Sequence, residues 1–524
     1  MRDDAAYGIE ARTVRREFHI AYTHTWTEPG PDWVHTQVTS VMNATTIIML
    51  TAFIVRAAPL LPEGAIFHTL EYDDGVYYAA SAHLIRGELP YRDFVFVQPP
   101  GITILLLPFV ALAGVIGDVA AMATARLAIA VVGSVNSVLI YFLLRKRAGD
   151  WAIFAGLFYA VWRVPAQTER TILLEPFVTL FWLTSILLLS RVQGVTRKPL
   201  AFVGSGMLMG LAVATKLWAV PLLALLFSLV FLKWRLRLAL AWTVGACAGA
   251  FICLPLVVHA PMSFVQQVFL NQLGRASPDS LLARLLRFTD IGGLGVVRQL
   301  STPILAVAAV AALCSIAVCC YFAWKLPWAR LYVVILTLQL LEITVAPVYY
   351  YHYFAFAAAA MAITFGAAGA SLRPEGTNAL MRFGGGVTLS LLGLASIYHP
   401  AATHDEYSRL KDFVNQHQCV WFSTASYAIT ADVLSRQIDR GCPMTVDTYG
   451  ILLNTGSEVS YDSTVEKEGS IVLQQRIAHE FRTSDAVVIR NLGAAGLSDF
   501  TRRLLQEEFV LVGERGGLML WSRT

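Results

Sequence analysis

The sequence predicts a polytopic α-helical membrane protein carrying a small C-terminal α/β domain. Three observations carry that prediction. Of 524 residues, 56% are hydrophobic and only 15% charged, far more apolar than a soluble chain. Apolar runs of about 20 residues, the length needed to cross a bilayer, recur from about residue 41 to residue 399. From about residue 400 the composition turns polar and short β-type runs alternate with amphipathic ones. The net charge of +4 is small and forms no basic patch, so no nucleic-acid partner follows.

Residues 1–40 read as a cytoplasmic N-terminal segment, because Arg2, Arg12, Arg15 and Arg16 precede the first span at 41–61. No short apolar core with a cleavage site follows them, so the first helix serves as its own insertion signal. The loop at 62–100 is then extracytoplasmic. Further apolar runs lie near 120–143, 151–164, 171–190, 200–215, 217–232, 238–258, 301–324, 329–347, 353–371 and 384–399. The basic clusters Arg145-Lys146-Arg147, Arg191 with Arg197 and Lys198, Lys233 with Arg235 and Arg237, Lys325 with Arg330, and Arg373 with Arg382 share the cytoplasmic side only if 102–143 crosses once. Residues 101–117, with Pro108 at their centre, therefore read as a short or re-entrant helix, a full span being the alternative. The total is about 11–13 transmembrane helices, and residues 41–400 form the membrane domain.

Residues 401–524 read as an extracytoplasmic α/β domain, with strands at 419–423, 485–491 and near the end and a helical stretch at 424–441. Cys419 and Cys442 are the two cysteines of this polar part, and an oxidising compartment would allow them to pair.

The stretch EYDDGVYYAASAHLIRGELPYRDFVFVQPPG (71–101) concentrates charge and aromatic rings between membrane segments. Asp73 and Asp74 stand side by side there. Adjacent carboxylates repel, so one of them must be solvated, paired or bound to a cation; together they could accept a proton or hold a divalent metal. Capping of the helix that follows is the alternative. Gln98 opens the Gln98-Pro99-Pro100-Gly101 turn and serves either as punctuation or as a contact.

Glu175 lies in an apolar run, where a charge must be offset by a partner such as Arg170 or Lys216 or by an aqueous cavity. Lys216 and Arg126 are lone cations in apolar surroundings, suited to a lipid-linked phosphate or to snorkelling. His352 and Tyr353 belong to the run VYYYHYFAF, an aromatic belt or a contact to a phosphate or sugar. The predicted topology collects all of these on one outer face.

These motifs, YDDG in the first outer loop, RTILLEPF, GLAVATKLW and YYYHYF, resemble in their order the GT-C fold glycosyltransferases of the branch that includes protein O-mannosyltransferases and aminoarabinose lipid A transferases. The resemblance spans about residues 41–370. It implies a polyprenyl-phosphate-linked sugar donor, hexose or pentose, and transfer at the outer face to a glycan, lipid or protein acceptor of the cell envelope. It implies an acidic residue of the first outer loop as catalytic base, which places Asp73, with Asp74, in that role. Glu175 stands where many members carry Asp before Pro, while Lys216, Arg126 and His352 match positions near the donor phosphate. A transporter or flippase of a lipid-linked sugar is the competing reading, but no inverted repeat is visible.

Overall fold

The computed structural model describes residues 31–68, 70–192, 199–234, 236–273, 275, 302–372, 408–455, 464–490, 496–515 and 517–524. Residues 1–30, much of the 259–300 loop, Arg197, Lys198, Arg235, Arg373, Arg382 and the 384–399 span expected from the sequence lie outside these. Two units are distinguished. Of the first, residues 31–47 belong to the helix α1 (Pro31–Ala57). Everything from Ile48 onward forms the second unit, in which the membrane helices and the C-terminal domain belong together.

The loop after α1 carries α2 (Tyr72–Leu84), and then α3 (Gly101–Ile116), α4 (Asp118–Ala148), α5 (Asp150–Val161), α6 (Arg163–Thr168), α7 (Glu175–Arg191), α8 (Pro199–Thr215), α9 (Val220–Lys233) and α10 (Leu236–Phe251) follow. After them come α11 (Thr302–Trp324), α12 (Arg330–Val345) and α13 (Ala355–Ser371). Among the described residues, four helical stretches are long and apolar enough to cross a bilayer: Thr39–Leu60, Asp118–Ala148, Ala306–Trp324 and Tyr351–Ser371. Five shorter apolar helices stand beside them.

Side-chain size explains the packing of two of these helices. In α13, Ala357, Ala358, Ala359 and Ala360 are fully buried, since methyl side chains let neighbouring helices approach on every side. Between α8 and α10 the approach is closer still. A Cβ on Gly206 or Gly210 would stand 1.9 or 2.1 Å from the carbonyl oxygens of Trp242 and Ala246, and one on Gly245 or Gly249 would meet Val203 and Met207 equally closely. Two Gly-x-x-x-Gly ridges thus face one another, and any larger residue would force the helices apart.

Helix α3 begins four residues after Val97, which is buried in the core of the C-terminal domain, and it ends where Gly117 abuts Asp432 of that domain.

The C-terminal domain holds a four-stranded sheet in the order β1-β2-β4-β3, from Val420–Phe422, Ala486–Ile489, Phe509–Arg515 and Leu518–Arg523. β1 and β2 pair in parallel, and the other pairs are antiparallel. The 424–441 stretch is not one helix. It breaks into α14 (Ala425–Thr430) and α15 (Leu434–Asp439), because Asp432 takes a φ of +59°, which a continuous helix forbids. Cys419 and Cys442 are joined by a disulfide. Trp421, Phe481, Val487, Leu505 and Phe509 form the core, and Val97 of the loop that follows α2 inserts among them. The loop and the domain therefore share one hydrophobic core.

Candidate active site

The two adjacent aspartates part company. Helix α2 starts at Tyr72, so Asp73 and Asp74 lie in its first turn; Glu71 holds the cap position, and its side chain accepts no capping bond. Successive residues of a helix point about 100° apart. Asp74 turns inward, is fully buried, and pairs with the equally buried Arg126. Arg126 Nε donates to Asp74 Oδ2 at 3.0 Å, its Nη1 donates to the Ile66 carbonyl at 2.5 Å, and Asp74 Oδ1 accepts the Ile172 N–H at 2.9 Å. This pair ties α2, α4 and the 171–174 segment together. Its charges satisfy each other, which leaves neither group free for a substrate.

Asp73 turns the other way and is only partly buried, accepting no hydrogen bond among the described residues. Burial, and then the carboxylates of Asp447, Glu175 and Glu71, push its carboxyl up to about 7, with Arg275 opposing them. The Asp73–Asp74 pair does not fit a metal ion, because Asp74 is spent on Arg126. Among the described residues no cluster of three His, Cys, Asp or Glu side chains could hold one.

Glu175, at the first position of α7, is buried. Lys216 Nζ donates to its Oε1 at 2.5 Å, and His352 Nε2 lies 4.0 Å from the same oxygen. The other oxygen, Oε2, is buried and has no partner. A buried acceptor left unmade costs free energy that a donor from a ligand would recover. Lys216 sits at the junction after α8, with its ammonium 4.4 Å from the Tyr353 ring centre and 4.6 Å from that of Trp218. Glu175, Lys216, His352 and Tyr353 thus come together from three separate segments.

Arg170 follows α6 and makes no ion pair or hydrogen bond among the described residues. Burial brings its guanidinium down to about 10 against the pull of Tyr351 and Glu71. Gln98 stands apart: its backbone carbonyl accepts from the Tyr91 hydroxyl at 2.6 Å, and its side chain joins no member of the cluster.

Several members have no signature in the sequence. Tyr72 donates its hydroxyl to Asp447 Oδ1 at 3.0 Å and accepts the Tyr449 N–H at 3.1 Å. Asp447 also accepts the Gly450 N–H at 2.8 Å, capping the helix Thr448–Asn454. The Tyr350 hydroxyl donates to that of Tyr449 at 2.9 Å, and the guanidinium of Arg275 lies 5.4 Å from the Tyr449 ring centre. Arg56 is fully buried and pairs with Glu169, the residue before Arg170, Nε at 2.9 Å and Nη2 at 2.5 Å. Glu169 also accepts from Asn136 and Tyr159, each at 2.8 Å. A Cβ at Gly133 would stand 2.4 Å from Glu169 Oε2, so only glycine fits beside that pair.

Residues 97–259 match the family model described as Dolichyl-phosphate-mannose-protein mannosyltransferase. No curated protein matches the chain in sequence. Among solved structures, the oligosaccharyltransferase of Archaeoglobus fulgidus, in complex with Zn and sulfate, superposes with a TM-score of 0.50 at 13% identity, covering 92% of this chain and 73% of that one. ArnT from Cupriavidus metallidurans bound to undecaprenyl phosphate gives 0.47 at 14% identity, covering 93% and 98%. The chain is a polytopic membrane protein with the GT-C fold, similar over residues 97–259 to the Dolichyl-phosphate-mannose-protein mannosyltransferases.

Proposed function

We propose that this protein is a membrane glycosyltransferase that moves a sugar from a polyprenyl-phosphate donor to a cell-envelope acceptor, with Asp73 as general base. The observation that carries the reading is the state of Asp73: a carboxylate held near neutrality, joined to no hydrogen-bond partner, and facing Glu175 and Asp447. A base works best when its pKa is close to the working pH. The acceptor O–H loses its proton to Asp73 as the oxygen forms its bond to the anomeric carbon. The bond from that carbon to the phosphate oxygen breaks, and the phosphate leaves as an anion.

Arg275, within electrostatic reach of Asp73, and Arg170, within reach of Glu71, make no ion pair among the described residues, and they supply the charge for that anion. Lys216 helps from within its pair with Glu175, and the free Glu175 oxygen takes a hydroxyl of the sugar. Arg126 leaves this set, since Asp74 holds it. Gln98 shapes the entry turn through its backbone. The family match over 97–259 supports a lipid-linked donor.

The Cys419–Cys442 disulfide supports an extracytoplasmic C-terminal domain, and the arginines ahead of the first span support a cytoplasmic N-terminus. Domain boundaries at residues 40 and 400 belong to this reading. The test is transfer of radiolabelled sugar from polyprenyl phosphate by purified protein, with Asp73→Asn alongside. Turnover by the wild type and its loss in the variant are expected; equal turnover by both would remove Asp73 from the mechanism.

A further inference from the structure

Away from Asp73, a cavity of about 430 Å3 opens between the end of α3 and the C-terminal domain. Gly114 and Gly117, Arg86 just beyond α2, and Ser435, Arg436 and Arg440 of the domain line it. Asp73 stands at the opposite end of α2, and 13 helical residues put roughly 20 Å between the two places.

The charges on its wall are unevenly spent. Each carboxylate is engaged: Asp118 accepts the Ser435 N–H at 2.9 Å and its hydroxyl at 2.6 Å, Asp432 pairs with Lys411 at 2.7 Å, and Asp439 pairs with Arg86 at 2.5 Å. Arg436 is only half used. Its Nη1 donates to Asn415 Oδ1 at 2.8 Å, whereas Nε and Nη2 are buried without an acceptor. A guanidinium edge with two adjacent unmade donors matches two oxygens of one phosphate.

The flank of the cavity is apolar. At the end of α3, Leu112, Val115 and Ile116 are 41%, 85% and 45% exposed, on a helix rich enough in hydrocarbon to lie in lipid. At Gly114 an added Cβ would meet nothing within 4 Å, so the wall there is open. We infer that this cavity binds an anionic phospholipid, its phosphate accepting from Arg436 Nε and Nη2 and its acyl chains lying along Leu112, Val115 and Ile116. A guanidinium at a membrane surface can hold a headgroup phosphate in this way. Such a lipid would fasten the domain to the bilayer.

The experiment is native mass spectrometry of the full-length protein titrated with phosphatidylglycerol, with a diacylglycerol of the same acyl chains, which lacks the phosphate, and with inorganic phosphate. Phosphatidylglycerol adducts are expected at about tenfold lower concentration than diacylglycerol adducts, as for gain of a charge-assisted hydrogen bond. Arg436→Gln should abolish that preference. Gly114→Phe, which fills the void without touching a charge, should lower occupancy at an unchanged melting temperature. Equal affinity for the two lipids, or preference retained in both variants, would overturn the proposal. Inorganic phosphate adducts without lipid adducts would assign the cavity to a free phosphate and overturn it equally.

Discussion

The hydroxyl of Tyr72 donates to Asp447 at 3.0 Å across 375 residues of sequence. It brings the C-terminal domain against the residue beside Asp73, so the site is built from both parts of the chain. Tyr350 and Tyr449 repeat the link through a second pair of hydroxyls.

Removing the base should cost rate and spare the fold. Asp73→Asn is expected to lower kcat by about 10²–10⁴-fold, with an unchanged melting temperature in detergent. Loss of the folded state instead would mark Asp73 as structural.

Removing one member of the Asp74–Arg126 pair should cost stability. Asp74→Asn strands a buried guanidinium, and breaking a buried pair costs about 3–5 kcal/mol. Thermal unfolding of Asp74→Asn against the double variant Asp74→Asn/Arg126→Met checks this, the double variant recovering part of the loss. Wild-type stability with low turnover in Asp74→Asn would give Asp74 a chemical role.

The position of the Asp73 carboxyl near 7 sets a pH dependence. The base acts when deprotonated, so kcat/KM should rise as pH increases through about 7 and then level off. Folding responds in the opposite sense: the folded-state pKa lies above the unfolded value of about 3.9. The stability Asp73 contributes is full below about 3.9 and is lost as pH rises through 7. In Asp73→Asn that loss should vanish from a pH series of melting temperatures.

Asp447 should tune Asp73 from the far domain. Its charge is the largest after burial in raising the Asp73 carboxyl, so Asp447→Asn should move the acid limb of kcat/KM to lower pH. An unmoved limb with a reduced plateau would mean that Asp447 only holds the domain in place.

Gly133 tests the packing around the Arg56–Glu169 pair. Gly133→Ala puts a methyl against Glu169 and Arg56, and overpacking of this kind costs about 1–3 kcal/mol. Differential scanning calorimetry would register it; an unshifted transition would show that the ion pair can move aside.

Much was legible in the sequence because the bilayer reads composition. Apolar runs became helices close to their expected bounds, as at 200–215 against Pro199–Thr215, since a spanning segment must satisfy its own backbone. Glu175 and Lys216 stood out as charges in hydrocarbon, and the structure joins them. Arg56 carried a weaker signal, a charge within the first span, yet its partner Glu169 lies 113 residues away.

The membrane class, the helical segments and the residue types from which a site could be made are written in composition, because hydrophobicity and charge act locally along a chain. That Asp74 serves Arg126 while Asp73 stays uncommitted, and that Asp447, Tyr449 and Arg275 complete the cluster, follows from the folded arrangement alone. One helical residue turns a side chain by about 100°, and what waits in each direction comes from segments far away in sequence, which no local pattern records.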